Sequence, residues 1–437
     1  MLQLILGRAG SGKTYRIREQ VKQLAEQNTE KVMLLVPEQY SFESEKAMLK
    51  LLGPKQVNKV QVMSFTRLTD MAFRAYGGSG IAKLDDGGRN IFMSLALEEV
   101  KAELEFYVTR VEELIPLMLS VSAELKMCAI APAVLLEMAQ QTEDKKLKQK
   151  LKEVGLILSA YDALVAQSYL DPLDDLQRLK HTFTEHRFFE GYHIYIDSFE
   201  GFTQQEFDLI ELMLSQACEV TVSLSCDTLD NQMGAEVFAR VRHTANVLMR
   251  MARQHHVQVS APIVLEPGIR FATEDLKHLE HQIFRVEKEP LSNVPDVITL
   301  YSGETVYHEA AYIGATIRHL MMNEGYQYQD FAIIARSLDH YRGVLDVALE
   351  QYEVPYFMDT PRSVYAEPLM CLVLYALQIL KSNFSSDDMF VYLKTGLAGL
   401  TPYEISLLEN YTFLWNLSGK KWLKEWTANV DGFVERQ

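Results

Sequence analysis

Residues 2–14 have the sequence Leu2-Gln-Leu-Ile-Leu-Gly7-Arg8-Ala9-Gly10-Ser11-Gly12-Lys13-Thr14, and a helical run follows to about Gln27. A short apolar strand, a glycine-rich turn and a helix start fit the pattern G-x-x-x-x-G-K-[ST]. Glycines allow successive backbone N–H groups to curl around an anion, and the positive end of the helix points at the same place. We therefore predict a phosphate-binding loop in which Lys13 reaches the β- and γ-phosphates and the Thr14 hydroxyl binds Mg²⁺. The alternative is a chance glycine turn.

The composition describes a globular protein of several domains. The chain has 437 residues, of which 48% are hydrophobic, and a formal net charge of −16. This charge argues against a protein that coats nucleic acid by electrostatics alone, but it leaves room for a local basic groove. We expect no membrane span, no signal peptide, and a cytoplasmic location. The four cysteines lie far apart in the sequence, so we expect no zinc or iron–sulfur site within these residues.

The first 76 residues alternate between strand and helix patterns. Apolar runs at 31–36 and 59–64 follow the first strand, and each is succeeded by a helical segment. The order β-α-β-α-β-α is typical of a doubly wound parallel sheet. From 77 to 187 the pattern is almost entirely helical, which predicts a helical insertion into the α/β domain.

The sheet is predicted to resume at Tyr192-His-Ile-Tyr-Ile196, directly before Asp197. An apolar strand that ends in a carboxylate is typical of an element that delivers Asp to Mg²⁺ at the carboxyl edge of such a sheet. The alternative for Asp197 is a turn-forming residue at a strand end. Residues 188–296 are predicted to complete this domain and to end in an irregular, charged linker over 267–294.

A second α/β unit is predicted from residue 297 to residue 437, with strands at 297–301 and 328–336, a helix after each, and the segment 354–357 next in the chain. The second of these strands ends at Arg336, a candidate contact to the γ-phosphate, with a structural ion pair as the alternative. No closing strand is evident. The fold class expected is therefore α/β, with two tandem α/β units on parallel sheets, a large all-helical insertion in the first, and an incomplete second unit.

This arrangement resembles superfamily-one UvrD/RecB-like helicase motors, which consist of tandem RecA-like P-loop domains. A more specific resemblance is to the N-terminal portion of the AddB (RexB) family, the B subunits of bacterial AddAB helicase–nucleases. The matching pieces are collinear and cover nearly the whole chain. They are the loop at 7–14, Leu35-Val36-Pro37-Glu38-Gln39, Ser64-Phe65-Thr66-Arg67-Leu68, Tyr195-Ile196-Asp197-Ser198-Phe199, Phe202-Thr203-Gln204-Gln205-Glu206-Phe207 and Ala332-Ile333-Ile334-Ala335-Arg336.

The resemblance implies a role in repair of DNA double-strand breaks, in a heterodimer with an AddA/RexA-like helicase–nuclease subunit. It implies that ATP and Mg²⁺ are bound at the loop, and that single-stranded DNA leaving a broken duplex end is scanned for the Chi sequence. Active relatives carry Asp-Glu at the strand end, whereas this chain carries Asp197-Ser198. We therefore expect ATP binding with weak or no hydrolysis, and assign no catalytic residue. The family's nuclease domain and iron–sulfur cluster belong to a C-terminal region that these residues do not contain.

Six residues near the predicted strand ends are candidates for single-stranded DNA contacts. Aromatic rings stack on bases, and arginine or glutamine can contact base edges or phosphates. For Phe65 the alternative is a buried core aromatic. Asp70 occupies a position where relatives carry an aromatic residue. The Chi sequence that this chain would recognise is therefore not predicted. The candidates are Gln39, Ser41, Phe65, Arg67, Phe199 and Phe202.

Two other functions remain open from the sequence. An active superfamily-one DNA-dependent ATPase or helicase would require a catalytic base where Ser198 stands. A P-loop kinase or small-molecule NTPase would need no second α/β unit, and residues 297–357 argue against it.

Overall fold

The structure is a computed structural model that describes residues 1–27, 29, 31–78, 80–107, 111–229, 236–266, 269–283, 285, 288–292, 297–358 and 364–429. The chain divides into two compact units, Met1–Thr299 and Leu300–Gln437. A six-stranded sheet lies in the first unit, whereas the described part of the second is helical.

Every pairing in the sheet is parallel. Its strands are β1 (Leu2–Leu6), β2 (Val32–Leu35), β3 (Val60–Met63), β4 (His193–Ile196), β5 (Glu219–Leu224) and β6 (Ile263–Val264). Their order across the sheet is β3-β2-β4-β5-β1-β6. The carboxyl ends of all six strands therefore lie along one side, called here the carboxyl edge, where ligands bind in sheets of this kind.

Helices cover both faces of this sheet, which confirms the predicted doubly wound α/β fold. They include α1 (Lys13–Glu26), α2 (Glu38–Gln56), α3 (Phe65–Tyr76), α8 (Asp175–His186), α9 (Gln204–Gln216) and α10 (Ala239–Gln254). On β2, Met33 and Leu35 contribute to one hydrophobic core, and Val32 and Leu34 contribute to another on the opposite face. The continuous apolar run of this strand is thus explained by burial on both sides.

The predicted helical insertion lies between β3 and β4. Its helices include α4 (Asp86–Val100), α5 (Val111–Met127), α6 (Pro132–Gln141) and α7 (Lys145–Ala166). Residues of α4, α5 and α7 form a separate hydrophobic core around Met93, Leu97, Ile157 and Tyr161, each of which is almost completely buried. Within the described ranges, no single helix is both long and apolar enough to cross a membrane, although one bent pair meets the length and composition criteria together.

The prediction of an irregular linker at 267–294 was wrong in part, and some of that stretch lies outside the described residues. Helix α11 (Glu274–Gln282) forms within it. Although its sequence is highly charged, this segment forms a short helix beside the phosphate loop, with Gln282 buried. The short strand β6 before this stretch was also missed.

In the second unit, the two predicted strands are not formed in the described residues. The helices of this unit are α12 (Val306–Glu324), α13 (Leu345–Gln351), α14 (Pro368–Lys381), α15 (Ser386–Leu393) and α16 (Pro402–Leu414). Leu300 and Ile334, one from each predicted strand, are more than 90% exposed. An apolar run becomes a strand only where a neighbouring strand satisfies its backbone groups, and the described residues of this unit provide no such neighbour.

One buried carboxylate joins the helices of the insertion. Glu153 on α7 accepts hydrogen bonds from the backbone N–H groups of Glu105, Phe106 and Tyr107 at 2.9–3.1 Å and from the side chain of Gln149 at 2.7 Å. Burial alone raises the pKa of this carboxyl, but the hydrogen bonds, led by that of Phe106, outweigh burial and hold the pKa below its ordinary value.

We expect Glu153→Gln to lower the free energy of unfolding by about 1–3 kcal/mol, because an amide cannot replace a carboxylate that accepts several N–H groups. A depressed folded-state pKa stabilises the fold above the unfolded-state value of 4.5, and this advantage is lost as the pH falls through the folded-state pKa. Urea unfolding at about pH 7 and about pH 3.5 measures both effects. The exposed control Glu143→Gln should change stability by less than about 0.5 kcal/mol. A difference between wild type and Glu153→Gln that grows on acidification would contradict this account.

Candidate functional site

The phosphate loop runs from the end of β1 to the start of α1 at the carboxyl edge. The N–H of Gly7 donates to Leu224 O of β5 at 3.3 Å, which fixes the start of the loop. Gly10 and Gly12 have φ of 77° and 88°, a region that favours glycine, and Gly12 is the N-cap of α1. A Cβ added at Gly7 would lie 2.2 Å from Ser11 Oγ. The loop geometry thus requires the glycines of the motif.

Lys13, the first residue of α1, turns its amine back towards its own loop. Its Nζ donates to Gly7 O at 2.8 Å and to Arg8 O at 3.1 Å. Burial lowers the pKa of Lys13, and Arg270 acts in the same direction, whereas Asp197 opposes both. The hydrogen bonds to Gly7 O and Arg8 O hold the amine where the loop curls. A lysine ammonium is a group of the kind that binds phosphate.

Asp197 follows β4, as predicted, and is 3% exposed. Its N–H donates to Leu35 O at 3.0 Å, and its carboxylate accepts a short hydrogen bond from Ser223 Oγ on β5. Ser198 is exposed and has φ of 67°, an uncommon conformation for a residue with a side chain. Sequence analysis did not identify Ser223 as a partner of Asp197. The alternating polar residues on β5 were the only sequence signal that pointed to it.

Arg8 lies within the loop but directs its guanidinium away from it. Its Nε donates to Glu280 Oε1 on α11 at 2.8 Å, and the guanidinium also lies 3.9 Å from Asp227 and over the ring of Phe238. The side chains of Arg8 and Glu280 are 7% and 15% exposed. Arg8 thus connects the loop to α11, a role that its place in the motif did not indicate.

The segment Ile269–Phe271 lies against the loop and was missed by sequence analysis. Arg270 N–H donates to Gly10 O at 3.1 Å. A Cβ at Gly10 would lie 3.0 Å from Arg270 Cβ, and one at Gly12 would lie 3.7 Å from Ile269 Cδ1. No local motif marks this segment, because its position depends on the path of the chain after β6. It adds a cation and apolar side chains beside the loop.

The loop residues suit a phosphate group and a cation. Positive-φ glycines shape the loop, and the buried Ser11 Oγ has no hydrogen-bond partner in the described part of the chain. The oxygens of Thr14, half-buried in the first turn of α1, and Asp197 are ligands of the type that Mg²⁺ prefers. Among the described residues, no group of three or more His, Cys, Asp or Glu side chains is arranged to hold a metal ion by itself.

At the carboxyl ends of β2 and β3, the candidate DNA contacts have different environments. Gln39 is exposed in the first turn of α2, whereas Ser41 is buried and its Oγ donates to Glu38 O at 2.9 Å. Ser64 caps α3 by accepting from Arg67 N–H at 3.1 Å. The Arg67 guanidinium is partly exposed and forms an ion pair with Glu45 of α2.

The aromatic candidates form one continuous row. The ring of Phe65 lies 5.8 Å from that of Phe199, which lies 5.0 Å from Phe202, and Phe202 lies 5.4 Å from Phe207. Phe65 is only 8% exposed and belongs to the core, whereas Phe199 and Phe202 are half-buried. Phe199 and Phe202 therefore retain more ring surface for stacking than Phe65 does.

A cleft of about 400 Å³ adjoins this row. Its walls come from α3, α8 and α9 and from the segments that precede α4 and α8, and they include Phe65, Asp70, Lys83, Leu173 and Gln205. Arg336 belongs to the second unit, where it is exposed at a bend. Its predicted contact with a phosphate therefore remains a prediction.

The pair formed by Arg8 and Glu280 should stabilise the loop measurably. In a double-mutant cycle with Arg8→Met and Glu280→Gln, we expect a coupling energy of about 0.5–3 kcal/mol, because both groups are largely buried. The exposed pair Lys277–Glu274 on the same helix is the control. A cycle on that pair should give about 0.5 kcal/mol or less. Equal coupling in the two cycles, measured by urea unfolding, would rule out a special role for Arg8.

A family model described as "ADDB, N-terminal" matches residues 4–280. The chain is 31% identical over 98% of its length to the B subunit of an ATP-dependent helicase/deoxyribonuclease of Clostridium kluyveri. Proteins of the same name from Clostridium acetobutylicum and Clostridium tetani are 30% and 29% identical over 99% and 97% of this chain. The chain spans 38% of the length of each of these relatives. It has the RecA-like fold with a helical insertion that the sequence indicates, and it belongs to the AddB N-terminal family.

Proposed function

We propose that the chain is the nucleotide-binding and DNA-scanning part of the B subunit of a heterodimeric ATP-dependent helicase/exodeoxyribonuclease, which acts in double-strand-break repair by homologous recombination. The arrangement of residues at the carboxyl edge of the sheet supports this proposal. The phosphate loop and Asp197 lie at the ends of β1 and β4, and the candidate DNA contacts lie at the ends of β2 and β3 and after β4. Nuclease activity is not assigned to these residues, since they span 38% of the relatives' length.

ATP would be held by the loop at 7–14, with its phosphates at the N-terminus of α1. Lys13 would exchange its bonds to Gly7 O and Arg8 O for contacts to phosphate oxygens. Thr14 and Asp197 would hold Mg²⁺, whose positive charge would offset the negative charge of the phosphates. Arg270 is close enough to the loop to add a further cation, and Arg336 remains a candidate.

Weak or absent hydrolysis follows from the residue after Asp197. A carboxylate at this place orients the attacking water in active relatives, whereas the hydroxyl of Ser198 is a poor base. General acid–base help contributes roughly 10²–10⁴ in rate, and its loss is the expected cost. Glu200 is exposed and lies two residues after Ser198. At that position in the chain, its carboxylate does not take the place of the one that active relatives carry.

Single-stranded DNA would pass along the ends of β2, β3 and β4. Phe199 and Phe202 offer rings for stacking, and Gln39 and Arg67 offer donors to base edges or phosphates. Ser41 is buried and would act by shaping the start of α2. We infer an AddA/RexA-like motor subunit as partner, broken duplex ends as the DNA, and a cytoplasmic location.

We expect Lys13→Ala to weaken ATP binding by about tenfold or more, because charge-assisted hydrogen bonds to phosphate are lost. Fluorescence anisotropy with labelled ATP measures the affinity, and phosphate release measures turnover. Turnover by the wild-type chain should stay near background with and without single-stranded DNA. Lys22→Ala on the same helix is the control and should bind ATP normally. Fast DNA-stimulated turnover that Lys13→Ala abolishes would establish the alternative, an active DNA-dependent ATPase.

We expect Arg67→Ala to weaken binding of single-stranded DNA about fivefold, since one charge-assisted contact is lost. The control Lys50→Ala removes an exposed cation further along α2. Anisotropy of a labelled oligonucleotide measures both. Equal losses in the two variants would show that charge alone governs binding, and an unchanged affinity for Arg67→Ala would reject this surface.

A further inference from the structure

Two basic side chains beside the candidate DNA contacts, Arg67 and Lys83, are paired with carboxylates. Arg67 contacts Glu45, with side chains that are 36% and 46% exposed. Lys83 Nζ lies 2.6 Å from Asp175 and 3.8 Å from Asp70. The positive charge that a DNA phosphate would meet at Arg67 and Lys83 is therefore largely balanced by carboxylates of the same chain.

These pairs belong to one surface, called here the charge-paired surface and made of Glu45, Arg67, Asp70, Lys83 and Asp175. Glu45, Arg67 and Asp70 line one cleft of about 520 Å³. Asp70, Lys83 and Asp175 line the cleft of about 400 Å³ that includes Phe65. Asp70 lines both clefts, so the two pairs are neighbours along the N-terminal half of α3.

We propose that Glu45 and Asp70 suppress sequence-independent binding of single-stranded DNA by competing with its phosphates for Arg67 and Lys83. This inference rests on the proposed function, since it concerns the same DNA surface. The occupant is single-stranded DNA, whose phosphates carry the charge that the carboxylates mimic.

The exposure of the Arg67–Glu45 pair supports a role in binding over a role in folding. An exposed ion pair contributes little to stability, because water screens it and both side chains lose freedom. A phosphate that contacts Arg67, by contrast, comes within a few ångströms of the Glu45 carboxylate and is repelled by it. The carboxylate therefore has its main electrostatic effect when a phosphate arrives.

Such screening would favour discrimination between sequences. Phosphate contacts supply affinity that is the same for every sequence, whereas contacts to bases supply the differences. When phosphate contacts contribute little to the binding free energy, the contacts of aromatic and amide side chains to bases account for a larger share of it. A scanner needs this balance, because it must move past most sequences and pause at few.

The test is Glu45→Gln, which keeps the shape of the side chain and removes its charge. We expect random-sequence single-stranded DNA to bind about 3- to 10-fold more tightly at low salt. The slope of log K against log salt should become steeper by up to about 0.7, the value for one further phosphate contact on a single strand. Asp70→Asn should act in the same direction but more weakly, because Lys83 keeps its nearer partner Asp175 at 2.6 Å. Anisotropy titrations across a range of salt concentrations measure affinity and slope together.

Glu43→Gln is the matched control, because Glu43 is an exposed glutamate on α2 two residues away and its change alters the net charge equally. It should have a clearly smaller effect than Glu45→Gln. In the double variant Glu45→Gln/Arg67→Ala, the gain in affinity should disappear. If Arg67→Ala weakens binding but Glu45→Gln does not strengthen it, only the screening inference fails. If Arg67→Ala has no effect, the proposed DNA surface fails and the inference fails with it.

Discussion

The hydrogen bonds on both sides of β4 hold the candidate site together. This strand pairs with β2 on one side and with β5 on the other, and the bond from Asp197 N–H to Leu35 O extends the pairing beyond the strand. Without β4, the strands that carry the phosphate loop would be separated from the strands that carry the candidate DNA contacts. The helical insertion precedes β4 in the chain, so this pairing closes a long loop and must outweigh its entropy cost. Both halves of the carboxyl edge depend on that closure.

The features that sequence analysis predicted correctly are those whose chemistry is local. The glycine spacing around Lys13 defines a loop within eight residues, and the apolar run before Asp197 marks a buried strand end without reference to any other segment. The alternation of strand and helix patterns in the first 76 residues was equally sufficient for a parallel sheet. In each case the backbone conformation and the burial of the segment follow from neighbouring residues, which is why these predictions agree with the structure.

The features that were missed depend on contacts between distant segments. Glu280 and Arg270 lie beside the loop only because the chain returns past β1 after β6, and no pattern near them indicates this. The predicted strands of the second unit failed for the converse reason. A run such as Phe331-Ala-Ile-Ile334 has the composition of a buried strand, but a strand also requires a neighbour that pairs with it. The composition of a segment gives its tendency to form a strand, whereas the presence of a neighbouring strand decides whether it does so.

In the proposed function, the two halves of the carboxyl edge would bind charged ligands by different physical means. Around the phosphate loop, backbone N–H groups, a helix terminus and the partly buried Lys13 act at short range, where water and salt screen them little. At the charge-paired surface, Arg67 and Lys83 are partly exposed and already paired with carboxylates, so their attraction for phosphate would be weak and sensitive to salt. Under the proposed function, a nucleotide would therefore remain bound under conditions in which DNA exchanges rapidly. That separation suits a protein that keeps one ligand in place while a single strand moves across the neighbouring strand ends.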